Sequence, residues 1–172
     1  FNWHHHLYWH TDIRRILPAE DQGHGALAKQ GQDLKMPDAN SKKTRKDLNL
    51  LIVDDDESIR KLLNLGLMSV GVSKTTLSED GAEAIKLFSK DMVPFDLVIS
   101  DITMPKMDGI TFMKQVRAMF PGLPFVMLSS KTSTEDFNGA KMAGAEYYFM
   151  KPLQLDMFKL KIKAVLDKLI DQ

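Results

Sequence analysis

The chain has 172 residues, 44% of them hydrophobic and 27% charged, which suits one ordinary core plus an appendage and leaves a second full domain cramped. Lys plus Arg and Asp plus Glu both number 23, so no global charge draws the chain to nucleic acid or an anionic membrane, and any function must come from local sites. The lack of cysteine excludes disulfide scaffolds, thiolate zinc sites and cysteine nucleophiles and suits a reducing cytoplasm, the compartment expected here. No stretch approaches the roughly 18 to 20 consecutive apolar residues of a membrane helix, so membrane insertion is not expected.

Residues 1–46 hold both tryptophans and all five histidines, then run through Gly, Gln, Asp, Asn and Lys. They read as a poorly ordered N-terminal appendage, a tag or linker. The histidines of FNWHHHLYWH are chemically able to ligate metal, but a tag or linker accounts for them. The basic run SKKTRK at 41–46 reads as solvated linker.

From residue 47 the pattern becomes regular. Short apolar runs of strand length alternate with stretches of helical period. The predicted strands are Leu48 to Val53, Lys74 to Leu77, Phe95 to Ser100, Phe125 to Leu128 and Tyr147 to Met150. Three of these are almost continuously apolar, as strands covered on both faces should be. Between and after them, Ile59, Leu62, Leu63, Leu67 and Val70 recur at helical spacing, as do Phe112, Met113, Val116 and Phe120, and then Phe158, Ile162, Val165 and Leu169. Asp56, Asp80, Asp108 and Ser133 stand where helix N-caps are wanted, and Gly71 and Gly144 where helices should stop. Five βα units predict an α/β domain over 47–172, with a parallel sheet, right-handed crossovers and helices on both faces. In such folds ligands bind beyond the carboxyl ends of the strands.

Those ends carry chemistry. The first strand runs into Asp54, Asp55, Asp56 and Glu57, and the third delivers Asp101 to the same edge. Carboxylates about 4 Å apart repel by about 4 kcal/mol per pair at an effective dielectric near 20, so a cation must sit among them. All-oxygen ligands favour Mg²⁺, with Mn²⁺ as a substitute. Asp56 and Glu57 are expected to cap and charge the following helix instead. The fourth strand ends in Ser129 and Ser130, and the fifth in Lys151 and Pro152. A lysine can hold a phosphoryl dianion as a point charge and a hydroxyl can donate to it, so the set describes a phosphoryl-transfer site.

LLIVDDDESIRKLL, LVISDITMPKMDG, FVMLSS and YYFMKP, in that order, closely resemble the motifs of response-regulator receiver domains, over about Leu48 to Gln172. The resemblance implies a flavodoxin-like (βα)5 doubly wound sheet of strand order 2-1-3-4-5. It implies Asp101 as phosphoacceptor, Asp54 and Asp55 as the acidic pair that holds the metal together with Asp101, and the Thr103 carbonyl as a further ligand. Ser129 corresponds to the hydroxyl that engages the phosphoryl group, Lys151 to the family's lysine, Pro152 to a residue often preceded by a cis peptide, and Tyr148 to the aromatic switch. Ser130 and Lys131 depart from the common pattern, in which a small apolar residue and an acidic or neutral one stand there. They flank the site and bear on the lifetime of the phosphorylated state.

The expected function is a phosphoprotein switch, not a turnover enzyme. It would be charged from a sensor histidine kinase or phosphotransfer protein and signal to a downstream protein through the face of the fourth helix, fifth strand and fifth helix. The last helix ends the chain, so output by protein binding rather than direct nucleic-acid contact is expected, as in single-domain chemotaxis-type regulators. Three rivals are weighed. A haloacid-dehalogenase-type phosphatase would use Asp54 as nucleophile, the domain could be a fragment of a larger regulator or hybrid kinase, or it could be a degenerate, unphosphorylated scaffold.

Overall fold

In the computed structural model the described residues are 42–88, 94–130 and 144–171. Five strands, β1 (Asn49–Val53), β2 (Lys74–Ser78), β3 (Leu97–Asp101), β4 (Phe125–Ser129) and β5 (Tyr147–Met150), form one sheet in the order β2-β1-β3-β4-β5. Every neighbouring pair is parallel. The order, the five strands and the flanking helices match the sequence expectation. The third strand begins two residues later than its apolar run suggests. Asp96 spends its carboxylate on the backbone N–H of Asn49 (2.7 Å), outside the ladder.

The burial of the strands follows their place in the sheet. Central β3 and β4 are buried at all five positions and β1 at four of five, whereas the edge strands β2 and β5 are mostly open. A strand covered on both faces needs apolar side chains of both parities; the central three have them, β5 (YYFM) has them too but lies at the sheet edge, and β2 (KTTLS) lacks them.

Helix α1 (Glu57–Ser69) starts at Asp56, whose carboxylate accepts from the backbone N–H groups of Ser58 and Ile59. Glu57 pairs with Lys61 one turn on (2.7 Å). Both acids thus serve the helix terminus. The helix stops in a Schellman motif. Val72 N donates to Leu67 O and Gly71 N to Met68 O, with Gly71 at φ +99°, where a side chain would be strained. A single turn, α2 (Gly81–Ala84), capped by Asp80, runs into a 3-10 turn at Ile85–Leu87. Helix α3 (Gly109–Met119) is capped by Asp108, and the C-terminal helix α4 (Leu155–Ile170) is the predicted fifth helix. The helix expected after β4, its cap Ser133, Lys131 and residues 1–41 lie outside the described residues. Gly144 has φ +91°.

Two apolar layers flank the sheet. On one face Leu50, Ile52 and Ile99 meet Leu63 and Leu67 of α1 and Phe158, Ile162 and Val165 of α4. On the other, Leu51, Val98 and Met127 meet Phe112, Met113 and Val116 of α3. Each fully buried large side chain contributes about 1.5–3 kcal/mol, so the predicted helical stripes are the core and the polar strand ends are left for other work.

Candidate functional site

Strand register places the chemistry. Val53 pairs with Ser100, so the next residues, Asp54 and Asp101, emerge side by side from β1 and β3. Asp101 pairs with Leu128, which sets Ser129 one step beyond it on β4, and Ser129 pairs with Met150, which delivers Lys151 just past β5. Lys151 N donates to Ser129 O (2.7 Å), extending the ladder, and the Lys151–Pro152 peptide is cis.

Lys151 Nζ lies 2.7 Å from Asp54 Oδ2 and 3.1 Å from Asp101 Oδ2. Asp54 is fully buried and Asp101 is 5% exposed, while Asp55 is exposed at the rim. One carboxylate oxygen from each of Asp54, Asp55 and Asp101 lies within 4.8 Å of the other two. The backbone holds two of these acids in place. Asp54 Oδ1 accepts from Asp56 N (3.0 Å) and Asp101 Oδ1 from Ile102 N (2.9 Å). Burial pushes the Asp101 carboxyl above its ordinary value, Lys151 opposes that and the neighbouring Asp54 charge adds to it. Burial alone would lower the Lys151 ammonium. The Asp54 hydrogen bond and both carboxylate charges outweigh burial and hold it above its usual value. Among these four side chains three carboxylates face one ammonium, which leaves two negative charges for a divalent cation to cancel.

Ser129 is buried at the end of β4 and Ser130 is exposed beside it. Thr103 is exposed just past Asp101, and Pro152 is exposed after Lys151. Tyr148 is half-buried and packs against the core layer that contains Phe112 and Met127. Asp54, Asp55, Asp101 and Lys151 are therefore brought into direct proximity, with Ser129 and Thr103 on the adjoining strand end and segment.

Several supporting residues escape sequence reading. Arg60 Nη1, one turn into α1, donates to the Asp54 carbonyl (2.6 Å). Gly109 packs so tightly that a Cβ there would sit 1.9 Å from the Asp101 carbonyl oxygen. A glycine at the first position of a helix, where it is a poor helix former, was the available signal. Lys106 has φ +62°, and Met107 N donates to Pro105 O (2.7 Å) across it, a γ-turn that strains a non-glycine residue by about 1–2 kcal/mol. Its ammonium reaches buried Asp80 (2.7 Å), whose role was read only as a cap. The Lys106 hydrogen bond holds the Asp80 carboxyl below its ordinary value.

Fold and site together define a doubly wound, flavodoxin-like domain with an acidic cluster and a lysine at the carboxyl edge of its sheet. A family model for the response regulator receiver domain matches residues 50–163, and the chain belongs to that family, the signalling switches of two-component systems. The transcriptional regulatory protein GlrR of Escherichia coli strain K12 is 35% identical over 125 residues, 73% of this chain and 28% of GlrR. RprY of Bacteroides fragilis is 35% identical over 119 residues, 69% of this chain and 49% of RprY. The chain thus spans from about a quarter to about half the length of these curated relatives. Among solved structures, the chemotaxis response regulator CheY4 of Vibrio cholerae matches with TM-score 0.61 and 32% identity, over 69% of this chain and 98% of that one. A chain of the CheX-CheY-BeF3-Mg+2 complex from Borrelia burgdorferi matches with TM-score 0.63 and 30% identity, over 69% and 88%. No described helix is long and apolar enough to cross a membrane.

Proposed function

We propose that residues 47–172 form a receiver that accepts a phosphoryl group on Asp101 in a Mg²⁺-dependent reaction, with residues 1–46 as linker or tag. The observation that carries this reading is the buried Asp54–Lys151–Asp101 contact with Asp55 at its rim. Mg²⁺, or Mn²⁺ in its place, would be held by Asp54, Asp55 and Asp101 with the Thr103 carbonyl, and the oxygen-only donors and residual charge fit it. When bound, the ion neutralises charge on the transferring phosphoryl oxygens.

An Asp101 carboxylate oxygen attacks the phosphorus of a donor phosphohistidine, the P–N bond breaks and the imidazole leaves. Lys151 turns its ammonium from the carboxylates to the phosphoryl oxygens, and the Ser129 hydroxyl donates to another. Water later attacks the phosphorus, inorganic phosphate departs and the Asp101 carboxylate returns. Asp54 is fully buried whereas Asp101 keeps 5% exposure, which leaves Asp101 the more accessible of the two to an incoming donor.

Residues 47–172 hold no histidine, so the domain is not its own phosphohistidine donor, and a sensor kinase or phosphotransfer protein is the partner proposed. Ser129 drawn toward the phosphoryl group leaves room for Tyr148 to move, which alters the neighbouring surface. A groove of about 180 Å³ between β5 and α4 is lined by Met150, Met157 and Lys161, and Met150 and Met157 are 51% and 47% exposed, which suits a protein-binding face. Ser130 and Lys131 tune the lifetime of the phosphorylated state. A second reading, a receiver module of a longer regulator or hybrid kinase, is favoured by the fraction of each curated relative that the chain spans.

The test is incubation with acetyl phosphate and Mg²⁺ followed by intact-protein mass measurement. One added phosphate is expected for the wild type and none for Asp101→Asn. Equal labelling of the two proteins refutes the assignment.

A further inference from the structure

We propose that the ion pair between Lys106 and Asp80 is a positioning clamp for the metal and phosphoryl site, fixing the segment between β3 and α3 against the start of α2. The inference rests on the function proposed above, because the segment it fixes carries Thr103, the residue after next from Asp101.

Residues 102–108 leave the tip of β3 and must present a backbone carbonyl to the site while crossing to α3. The base of this loop is closed by Gly109 N donating to Ile102 O (2.9 Å) and by the packing of Gly109 on the Asp101 carbonyl. Ile102 and Met104 sink into the core, and exposed Thr103 stands between them. The tip is the γ-turn at Lys106. A glycine there would adopt φ +62° without strain, yet the sequence keeps a lysine.

What the lysine supplies is an ammonium 2.7 Å from Asp80 Oδ2. Asp80 is 1% exposed, and its other oxygen accepts from Glu83 N (2.8 Å) to cap α2. Glu79 approaches the same ammonium at 3.6 Å. Gly81, the next residue, closes the junction from the other side, since a Cβ there would meet Met107 O at 2.9 Å. The loop tip is thus pinned to α2 by an ion pair between exposed Lys106 and a buried carboxylate and by a backbone contact on consecutive residues. With base and tip both anchored, the loop backbone positions the carbonyl of Thr103, as supporting residues around metal ligands commonly arrange. A lysine that served only solubility would have no reason to occupy a strained γ-turn over a buried carboxylate.

The experiment compares wild type, Lys106→Met, Lys106→Arg, Lys106→Gly and the double variant Lys106→Gly with Asp80→Asn, which leaves no buried charge unpaired. Mg²⁺ dissociation constants are measured by calorimetry, amide exchange at Met107 and Gly109 by NMR without metal, and thermal midpoints on the same samples. Lys106→Met is expected to weaken Mg²⁺ binding by about tenfold and to speed exchange at both amides, with Lys106→Arg restoring both toward wild type. Lys106→Gly and the double variant shed the backbone strain, so their midpoints should hold closer to wild type than their Mg²⁺ affinity does. A pair that only stabilised the fold would lower the midpoint and leave the Mg²⁺ affinity of the folded protein at the wild-type value. Wild-type Mg²⁺ affinity in Lys106→Met and Lys106→Gly overturns the clamp alone. A wild type that binds no Mg²⁺ overturns the metal reading and the clamp with it.

Discussion

The α-carbon of Gly109 packs against the backbone carbonyl of Asp101 so closely that one added methyl group would stand 1.9 Å from its oxygen. The first turn of α3 is therefore seated on the residue read as the phosphoacceptor. Gly109→Ala must push α3 away or shift the end of β3, since a backbone atom cannot rotate aside as a side chain would. A loss of about 1–3 kcal/mol in urea unfolding is expected, together with weaker Mg²⁺ binding. Unchanged stability would mean that the helix can move freely relative to the strand tip.

Lys151 pairs its single ammonium with two acids in the metal-free protein, one of them fully buried. Lys151→Met should destabilise the fold by about 3 kcal/mol without metal, because Asp54 is left as a buried charge with no cation. Saturating Mg²⁺ should recover part of that loss by supplying the missing positive charge. Urea unfolding with and without Mg²⁺ checks both statements, and equal losses in the two conditions would contradict them.

Asp101 gives a prediction in pH. Burial raises its folded pKa above the ordinary value of 3.8, so the folded state binds this proton more tightly than the unfolded state. Ionisation then costs stability as pH rises from about 4 through the raised folded value, and the cost is fully present above it. Asparagine escapes that cost. Metal-free Asp101→Asn should be more stable than wild type at pH 7, and its advantage should vanish as pH approaches 4. Thermal melts across that range measure it. Saturating Mg²⁺ at pH 7 should reverse the order, because only the carboxylate gains a ligand.

Much of this was legible in the sequence, for identifiable reasons. The runs LLIV, LVIS and FVML announce strands covered on both faces, and polar residues directly after such runs have to emerge at one sheet edge. That places Asp54, Asp101, Ser129 and Lys151 together before any coordinates. The caps Asp56, Asp80 and Asp108 were also readable, since an acid just before a helical stripe has a local partner. What stayed hidden depends on distance in three dimensions. Arg60 reaches a carbonyl six residues back, Lys106 finds an acid 26 residues away and Gly109 is required by a neighbour's backbone. Periodicity carries none of those relations. The start of β3 was misjudged because Phe95 is apolar for the core while Asp96 is turned to bind Asn49 outside the ladder.

The central claim is that Asp101, rather than Asp54, is the carboxylate that becomes esterified. The most direct measurement is borohydride trapping after incubation with acetyl phosphate and Mg²⁺, followed by peptide sequencing, because hydride converts an acyl phosphate to an alcohol at the residue that carried it. Reduction at residue 101 alone is the predicted result. Reduction at residue 54, or undiminished labelling of Asp101→Asn, would contradict the account.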